Sequence, residues 1–337
     1  RSAMQILNRL ESVGGDLNAF TNKEDTVYYS AILKNHFPRA VDLLTDIVFG
    51  STYPQAEIDK EVEVIVDEIE SYNDSPAELV YDLFENAVFG GHPLGHNILG
   101  TAEKLRRYTT ADALRFTRRY YRPENSVFFA YGDVDFQKLV RLLERANAAD
   151  AAAESVAAVS LPPQQSAISD NSCCGGGKDT AAALLPPYVA QHIEHHMDTH
   201  LAHVMLGTRA YDVHDERRIA LYLLNNILGG PGMTARLNVS LRERNALVYT
   251  VESMAQSYSD TGLWAVYFGC DPKNVKRCLR LIRCELDKVM QRPLSDAQLR
   301  AAKRQIRGQI GIACDSRESF ALDFAKSYLH YGWRKDV

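Results

Sequence analysis

The sequence predicts an α+β fold made of two duplicated domains, each an antiparallel-rich mixed sheet backed by helices. Three observations point to this fold. Helix-period and strand-period runs mix along both halves of the chain, and both halves run in the order helix, hairpin, helix, helix, helix. An Ala-rich stretch with Pro and Gly clusters separates them. We therefore expect an N-terminal domain over 1–146, a linker over 147–187 and a C-terminal repeat domain over 188–337.

The composition excludes several classes of protein. Of 337 residues, 46% are hydrophobic and 24% are charged, as in globular proteins. The net charge of −5 argues against a nucleic-acid partner and a basic membrane patch. No apolar run is long enough to span a membrane. The six cysteines form no C-x-x-C pair, so we expect reduced thiols and a cytoplasmic location, with the periplasm as the alternative.

The first half contains one hairpin among several helices. Gly14 and Gly15 end the opening helix, and Thr, Tyr, Val and Phe then enrich two strand-like runs. Pro54 and Pro76 mark helix boundaries, because proline is favoured in a first turn. The predicted helices are 1–12, 38–49, 58–69, 76–89, 109–121 and 136–146, and the predicted strands are 16–20, 26–33 and 125–131.

The second half repeats this order after the linker. A four-residue turn, Ser259 to Gly262, joins two strand-like runs into a second hairpin, and three helical patterns close the chain. The predicted strands are 188–196, 202–211, 248–258 and 263–268, and the predicted helices are 215–228, 232–243, 272–291, 295–313 and 316–330. Cys278 and Cys284 lie on the helix at 272–291, where we expect them to be small core residues.

Two carboxylates on the helix at 58–69 stand out. Glu61 and Glu68 are seven residues apart, about two helical turns, and therefore share one face. A carboxylate buried on such a face is costly unless it is paired or bound to a metal. The alternative is an ordinary solvated acidic edge.

The internal repeat favours a functional role for this pair. Glu61 falls opposite Ala302 and Glu68 opposite Gln309 at one constant offset, while apolar positions of the two helices match. The second copy therefore keeps the scaffold residues and lacks both carboxylates. Local departures of this kind are typical of functional sites.

Three segments together resemble the insulinase/pitrilysin/mitochondrial processing peptidase family of zinc metallopeptidases, the inverzincins. They are Ser12 to Thr21 with Glu24 to Tyr29 behind it, the helix with Glu61 and Glu68, and Leu241 to Tyr249. The resemblance covers nearly all of the chain outside the linker. It implies half of a metallopeptidase clamshell and a Zn²⁺ cofactor.

The resemblance assigns roles to the two carboxylates. In that family an inverted His-x-x-Glu-His helix supplies two histidine ligands and a general base. A distant glutamate, matching Glu68, is the third zinc ligand, and a supporting glutamate matches Glu61. Three protein ligands leave one zinc position open for a water that the metal makes nucleophilic.

The resemblance also assigns substrate-binding residues. Arg242 and Tyr249 would hold the peptide substrate and stabilise the oxyanion that forms during hydrolysis. The strand through Asn18 and Ala19 would pair with an extended substrate backbone. Without the resemblance, a helix-terminal charge and a strand aromatic are the favoured interpretation of Arg242 and Tyr249.

The sequence departs from the family at the metal site. No His-x-x-Glu-His occurs in the 337 residues, so we expect a fragment of a bacterial-type two-domain member, truncated ahead of this motif. The run Gln191 to His196 differs from the motif by one residue. However, it lies in a predicted strand, where successive side chains point to opposite faces and cannot converge on one metal.

The expected function is a zinc-dependent endopeptidase that hydrolyses peptides or unfolded protein segments in an enclosed chamber. Family chambers contain four such domains, so two domains imply a homodimer or a heterodimer with a related subunit. Arg242 and Tyr249 would then complete the site of the partner. The alternative is a non-catalytic structural or substrate-presenting subunit. A thiol enzyme using Cys173 or Cys174 is a third hypothesis.

Overall fold

The structure, a computed structural model, describes residues 3–146 and 186–332. The described residues form two compact units: the first comprises 3–64, 102–146 and 314–332, and the second 65–101 and 186–313. Helices and antiparallel strands occur in both units, which confirms the predicted α+β class. Residues 147–185, nearly all of the predicted linker, lie outside the described residues, so the assignment of two duplicated domains stays a prediction.

The elements follow the predicted order closely. In the first half they are α1 (Ala3–Glu11), β1 (Asn18–Thr21), β2 (Thr26–Tyr29), α2 (Phe37–Phe49), α3 (Gln55–Asp74), α4 (Pro76–Val88), α5 (Ala102–Leu105), α6 (Thr110–Tyr120) and α7 (136–146). In the second half they are β3 (Ala202–Ala210), α8 (Arg217–Gly229), a π-helix (Asn238–Glu243), β4 (Val248–Ser257), β5 (Gly262–Cys270), α9 (Val275–Gln291), α10 (Asp296–Cys314) and α11 (Arg317–Tyr331).

The first unit is built around the β1–β2 hairpin and the helices that cover it. β1 and β2 pair antiparallel, with Asn18 opposite Tyr29 and Ala19 opposite Tyr28. Within the part of the chain that the structure describes, β1 has no second neighbour, so its outer edge is open. Leu10 of α1 and Leu43 of α2 are fully buried in a small core beside it.

A partly buried charge cluster fastens α11 to the hairpin. Asp25, in the β1–β2 turn, lies 3.4 Å from both Lys326 Nζ and His330 Nε2 and accepts a hydrogen bond from Asn22. Lys326 also sits over the ring of Phe20, 4.6 Å from its centre. Burial raises the pKa of Asp25, but the His330 hydrogen bond, the Lys326 charge and the Asn22 amide together lower it below its ordinary value.

The second unit is organised on a three-stranded antiparallel sheet of order β3-β5-β4. One face of the sheet contributes to the main core, together with α8 and α9. β5 places Val266 and Phe268 in this core and Tyr267 on the opposite face, because side chains alternate along a strand. The fully or nearly fully buried residues of this main core include Leu228, Leu237, Leu241, Val266, Phe268, Cys270, Cys278 and Ile282.

Helix α4 covers the opposite face of this sheet. The Tyr81 ring lies 5.3 Å from that of Tyr267, and the Tyr81 hydroxyl donates a 2.8 Å hydrogen bond to Glu252 Oε1. Gly207 of β3 permits the close approach, because a Cβ there would lie 2.9 Å from the Phe84 ring and 2.1 Å from the Trp264 carbonyl oxygen. The sheet is therefore covered on both faces.

Two predicted strands are absent from the described residues. Residues 126–131 form no ladder; instead Phe129 stacks on Phe324 at 5.0 Å and Tyr131 contacts Phe320 at 5.2 Å. Residues 188–196 are exposed and irregular. Both runs have strand-like composition, but a strand also needs a neighbour for its backbone hydrogen bonds, and neither run has one there.

Two further predictions need correction. The predicted helix at 232–243 is a turn followed by a short helical segment that is mostly π-helix. Cys278 is fully buried as expected, but Cys284 on the same helix is exposed. The two cysteines are six residues apart on α9, which places them on different faces of the helix.

Replacing Asp25 by asparagine tests the charge cluster. We expect Asp25→Asn to lower the free energy of unfolding at pH 7 by about 1–3 kcal/mol, since charged hydrogen bonds are lost. Because the pKa of Asp25 is lowered in the folded state, its contribution is present above the ordinary carboxyl pKa and is lost as the pH falls through the folded-state value. Denaturant titrations of both proteins at pH 7 and pH 3 measure this; an undiminished difference at pH 3 would contradict it.

Candidate functional site

The predicted carboxylates lie on the exposed face of α3. Val62 and Val66 are 7% and 3% exposed and form the buried stripe of this helix, whereas Glu61 and Glu68 are exposed. Neither glutamate has a hydrogen bond or ion pair with another described residue. Glu63 of the same helix differs, because Arg106 binds both of its carboxylate oxygens at 3.1 and 3.2 Å.

The repeat partner of Glu61 has a different environment. Ala302, at the equivalent position of α10, is 7% exposed. A glutamate there would be buried, so its absence from the second copy has a packing reason. The loss of a carboxylate at position 302 therefore does not by itself indicate a function for Glu61.

The described residues alone do not fit a complete zinc site. They contain no group of three or more His, Cys, Asp or Glu side chains placed to hold a metal ion. Glu68 offers one carboxylate, and zinc sites in proteins need three or four ligands.

The segment that carries Arg242 and Tyr249 is irregular throughout. Arg242 lies in the π-helix, and Ala246 behind it adopts a left-handed backbone with φ of 48°. The β4–β5 register then shifts between Val248 and Thr250, a β-bulge at Tyr249. π-helices, left-handed non-glycine residues and bulges are each enriched at functional sites.

Buried leucines and valines hold this segment at both ends. Leu237 and Leu241 are fully buried before the turn, and Leu247, Val248 and Val251 are buried after it. The residues between them turn outward. The bulge at Tyr249 interrupts the alternation of side chains between the two faces of β4. The Tyr249 side chain is 85% exposed.

An open cleft of about 370 Å³ lies beside this segment in the second unit. Its walls are the end of α8, the glycine-rich turn after it, Asn238 and Arg242 of the π-helix, and residues Thr250 to Ser253 of β4. β4 is an outer strand of the sheet among the described residues, and α8 packs on it beside the cleft, where the Asn225 amide donates a 3.1 Å hydrogen bond to the Ser253 carbonyl.

The structure places the predicted residues on different elements. Arg242 lines the cleft with its Nε 3.9 Å from Glu243 Oε1, whereas Tyr249 stands outside the cleft lining. No hydrogen bond or ion pair in the described ranges joins Glu68, Arg242 and Tyr249 to one another. Asn18 and Ala19 are exposed on β1, whose outer edge is open.

Sequence reasoning missed Glu252 in the cleft wall. The Tyr81 hydroxyl binds one oxygen of this carboxylate and so fixes its orientation. Burial, followed by this hydrogen bond, raises the pKa of Tyr81. In the sequence, Glu252 resembles an ordinary exposed strand residue. The residues around it do not indicate that its hydrogen-bond partner, Tyr81, is 171 positions away.

The alternative reactive groups gain no geometric support. His192 and Glu194 form an exposed 3.0 Å pair in the irregular run that the sequence predicts as a strand. Burial raises the pKa of the Cys270 thiol to about 12 and also raises that of Cys278, which makes both poor nucleophiles. Cys173 and Cys174 lie outside the described residues. None of the helices in the described ranges has the length and apolar character needed to cross a bilayer.

Two family models match consecutive parts of the chain. The model described as "Insulinase (Peptidase family M16)" matches residues 1–102, and the one described as "Peptidase M16 inactive domain" matches residues 107–306. Together they cover most of the chain.

Curated relatives align along the whole chain. One named an uncharacterized zinc protease from Streptomyces coelicolor is 34% identical over 337 residues, which is 100% of this chain and 70% of the relative. Another uncharacterized zinc protease, from Bacillus subtilis, is 30% identical over 100% of this chain and 76% of its own length.

Solved structures share the fold at low sequence identity. The crystal structure of a protease from Helicobacter pylori has a TM-score of 0.78 at 20% identity and covers 98% of this chain and 75% of that one. The structure of a peptidase M16 inactive domain from Pseudomonas fluorescens has a TM-score of 0.74 at 18% identity, covering 98% and 74%.

Stability measurements separate the exposed residues from the core that holds them. We expect Arg242→Ala and Tyr249→Ala each to change the free energy of unfolding by less than about 0.5 kcal/mol, since both side chains are exposed. Leu241→Ala, beside Arg242 but fully buried, should lower it by about 2–5 kcal/mol. Urea titrations of the three variants test this. A large loss for Tyr249→Ala would mean that the residue serves the fold.

Proposed function

Because the chain belongs to the insulinase family of peptidases, peptidase family M16, we propose that it is the greater part of a zinc-dependent endopeptidase. The proposed substrates are peptides or unfolded protein segments. The observation that carries the proposal is the segment from the π-helix to β4, where irregular backbone presents Arg242 to a cleft and leaves Tyr249 exposed. Relatives named zinc proteases support the metal.

Glu68 is the proposed protein ligand to zinc on this chain, and Glu61 supports it. Both are exposed on one rigid helix, so neither needs to break an existing pair to reach a metal. The 337 residues contain no His-x-x-Glu-His, so in this proposal Glu68 supplies one ligand and does not complete a zinc site by itself.

The substrate is proposed to bind as an extended strand. Among the described residues no strand pairs with the outer edge of β1, at Asn18 and Ala19, so its backbone groups can recognise a peptide independently of the peptide's side chains. Arg242 and Tyr249 would hold the substrate backbone and stabilise negative charge at the reacting carbonyl. An enclosed chamber would restrict access to unfolded or short chains.

Glutamate variants of the full-length protein test the ligand assignment. We expect Glu68→Gln to lower bound zinc and kcat/KM for a quenched peptide by more than about a hundredfold, above the range of a supporting residue. Glu61→Gln should cost about 10–100-fold. Glu70→Gln, an exposed glutamate on the same helix, is the matched control and should be unchanged.

Zinc analysis together with the cleavage rates decides between the proposals. Equal zinc content and activity in Glu68→Gln and Glu70→Gln would rule out Glu68 as a ligand. A full-length protein without zinc and without cleavage would instead favour a non-catalytic, substrate-presenting subunit.

A dimer is proposed as the working form, with Arg242 and Tyr249 of one subunit completing the site of the other. The exposure of Tyr249 supports this, because an 85% exposed tyrosine is available to a second subunit. The partner would be a second copy or a related chain.

Differently tagged subunits test the sharing of residues. Consider a hybrid of one Glu68→Gln subunit and one Tyr249→Phe subunit. If sites are shared across the interface, one site contains both substituted residues and the other contains the unchanged Glu68 and Tyr249, so one site stays intact. About half of the wild-type activity is then expected, because both changes fall in the same composite site. Complete loss of activity would show that each subunit uses its own Tyr249.

A further inference from the structure

A second pocket, of about 160 Å³, lies in the second unit beside the π-helix and α9. This pocket and the larger cleft have no lining residue in common. Asn238 and Arg242 of the π-helix line the cleft, whereas Val239 and Ser240 line this pocket. Its full lining is Thr234, Arg236, Val239, Ser240, Arg244 and Glu285.

The polar groups around the pocket are mainly donors without protein partners. Arg236 is half-buried and Arg244 is exposed, and neither guanidinium has an ion pair or hydrogen bond with any described residue. Ser240 is 7% exposed, and its hydroxyl likewise has no hydrogen bond within the described ranges. The Ser240 Oγ atom itself is accessible from the pocket, so this hydroxyl can donate a hydrogen bond to a ligand bound there.

The one carboxylate in the lining is already neutralised. Glu285 is largely buried, and Lys288 Nζ lies 2.6 Å from its Oε1. With this pair balanced, the two arginines leave the pocket with a net positive charge. A positive pocket of unpaired donors is complementary to a group that carries negative charge and only accepts hydrogen bonds.

The size of the pocket limits the ligand. Sites for drug-sized ligands and cofactors occupy about 300–1,000 Å³, well above this volume. A small oxyanion fits the size, and arginine matches the geometry of phosphate and carboxylate oxygens with two parallel donors.

We propose that this pocket binds a small oxyanion, a phosphate or a carboxylate, between Arg236 and Arg244, with the Ser240 hydroxyl as a third donor. The site is independent of the proposed peptidase activity. An anion bound there contacts the π-helix that carries Arg242, so occupancy also stabilises the backbone beside the larger cleft.

Thermal unfolding of the full-length protein in inorganic phosphate tests the proposal, with sodium chloride keeping ionic strength constant. A ligand that binds only the folded state raises the unfolding temperature in a saturable manner. We expect this rise in the wild type and at least about tenfold weaker phosphate affinity for Arg236→Gln or Arg244→Gln, since each removes a charged hydrogen-bond donor. The double variant should lose the rise.

Arg283→Gln is the matched control, since it removes an exposed arginine of α9 outside the pocket. It should keep the wild-type response, and Ser240→Ala should weaken it more mildly. Acetate in place of phosphate distinguishes the sources: a response to phosphate alone indicates a phosphate ligand, and an equal response indicates a carboxylate. The absence of a saturable response to either anion, or an equal loss in Arg283→Gln, would overturn the proposal.

Discussion

The buried core of the second unit is the constraint on which the candidate site depends. Leu237 and Leu241 enter this core before the irregular segment, and Leu247, Val248 and Val251 enter it afterwards. Because both ends are buried, the backbone between them must turn sharply. The left-handed conformation of Ala246 costs about 1–2 kcal/mol and is maintained by this burial, which contributes about 1.5–3 kcal/mol for each large side chain.

A different arrangement presents the carboxylates of α3. There the backbone is a regular helix, and burial of Val62 and Val66 on one side directs Glu61 and Glu68 to the other. A helix fixes the direction of a metal-binding side chain more closely than a loop does. The proposed site residues are therefore presented by two kinds of backbone: a regular helix carries Glu61 and Glu68, and an irregular segment carries Arg242 and Tyr249.

Local pattern predicted most of the helices and both hairpins, because amphipathic spacing, proline and turn residues act within one element. It failed where an element depends on distant residues. The run 126–131 has strand composition, but its Phe129 packs on α11. The π-helix, the bulge at Tyr249 and the Tyr81–Glu252 hydrogen bond also have no local signal, since tertiary contacts determine them. Arg242 and Tyr249 were found only through a family resemblance.

Cleavage of a quenched peptide by the full-length protein, before and after treatment with a zinc chelator, tests the proposed function most directly. We expect cleavage that the chelator abolishes and that added Zn²⁺ restores, together with bound zinc in the untreated protein. Cleavage that persists with the metal removed, or a zinc-loaded protein that cleaves no peptide, would contradict a zinc-dependent endopeptidase.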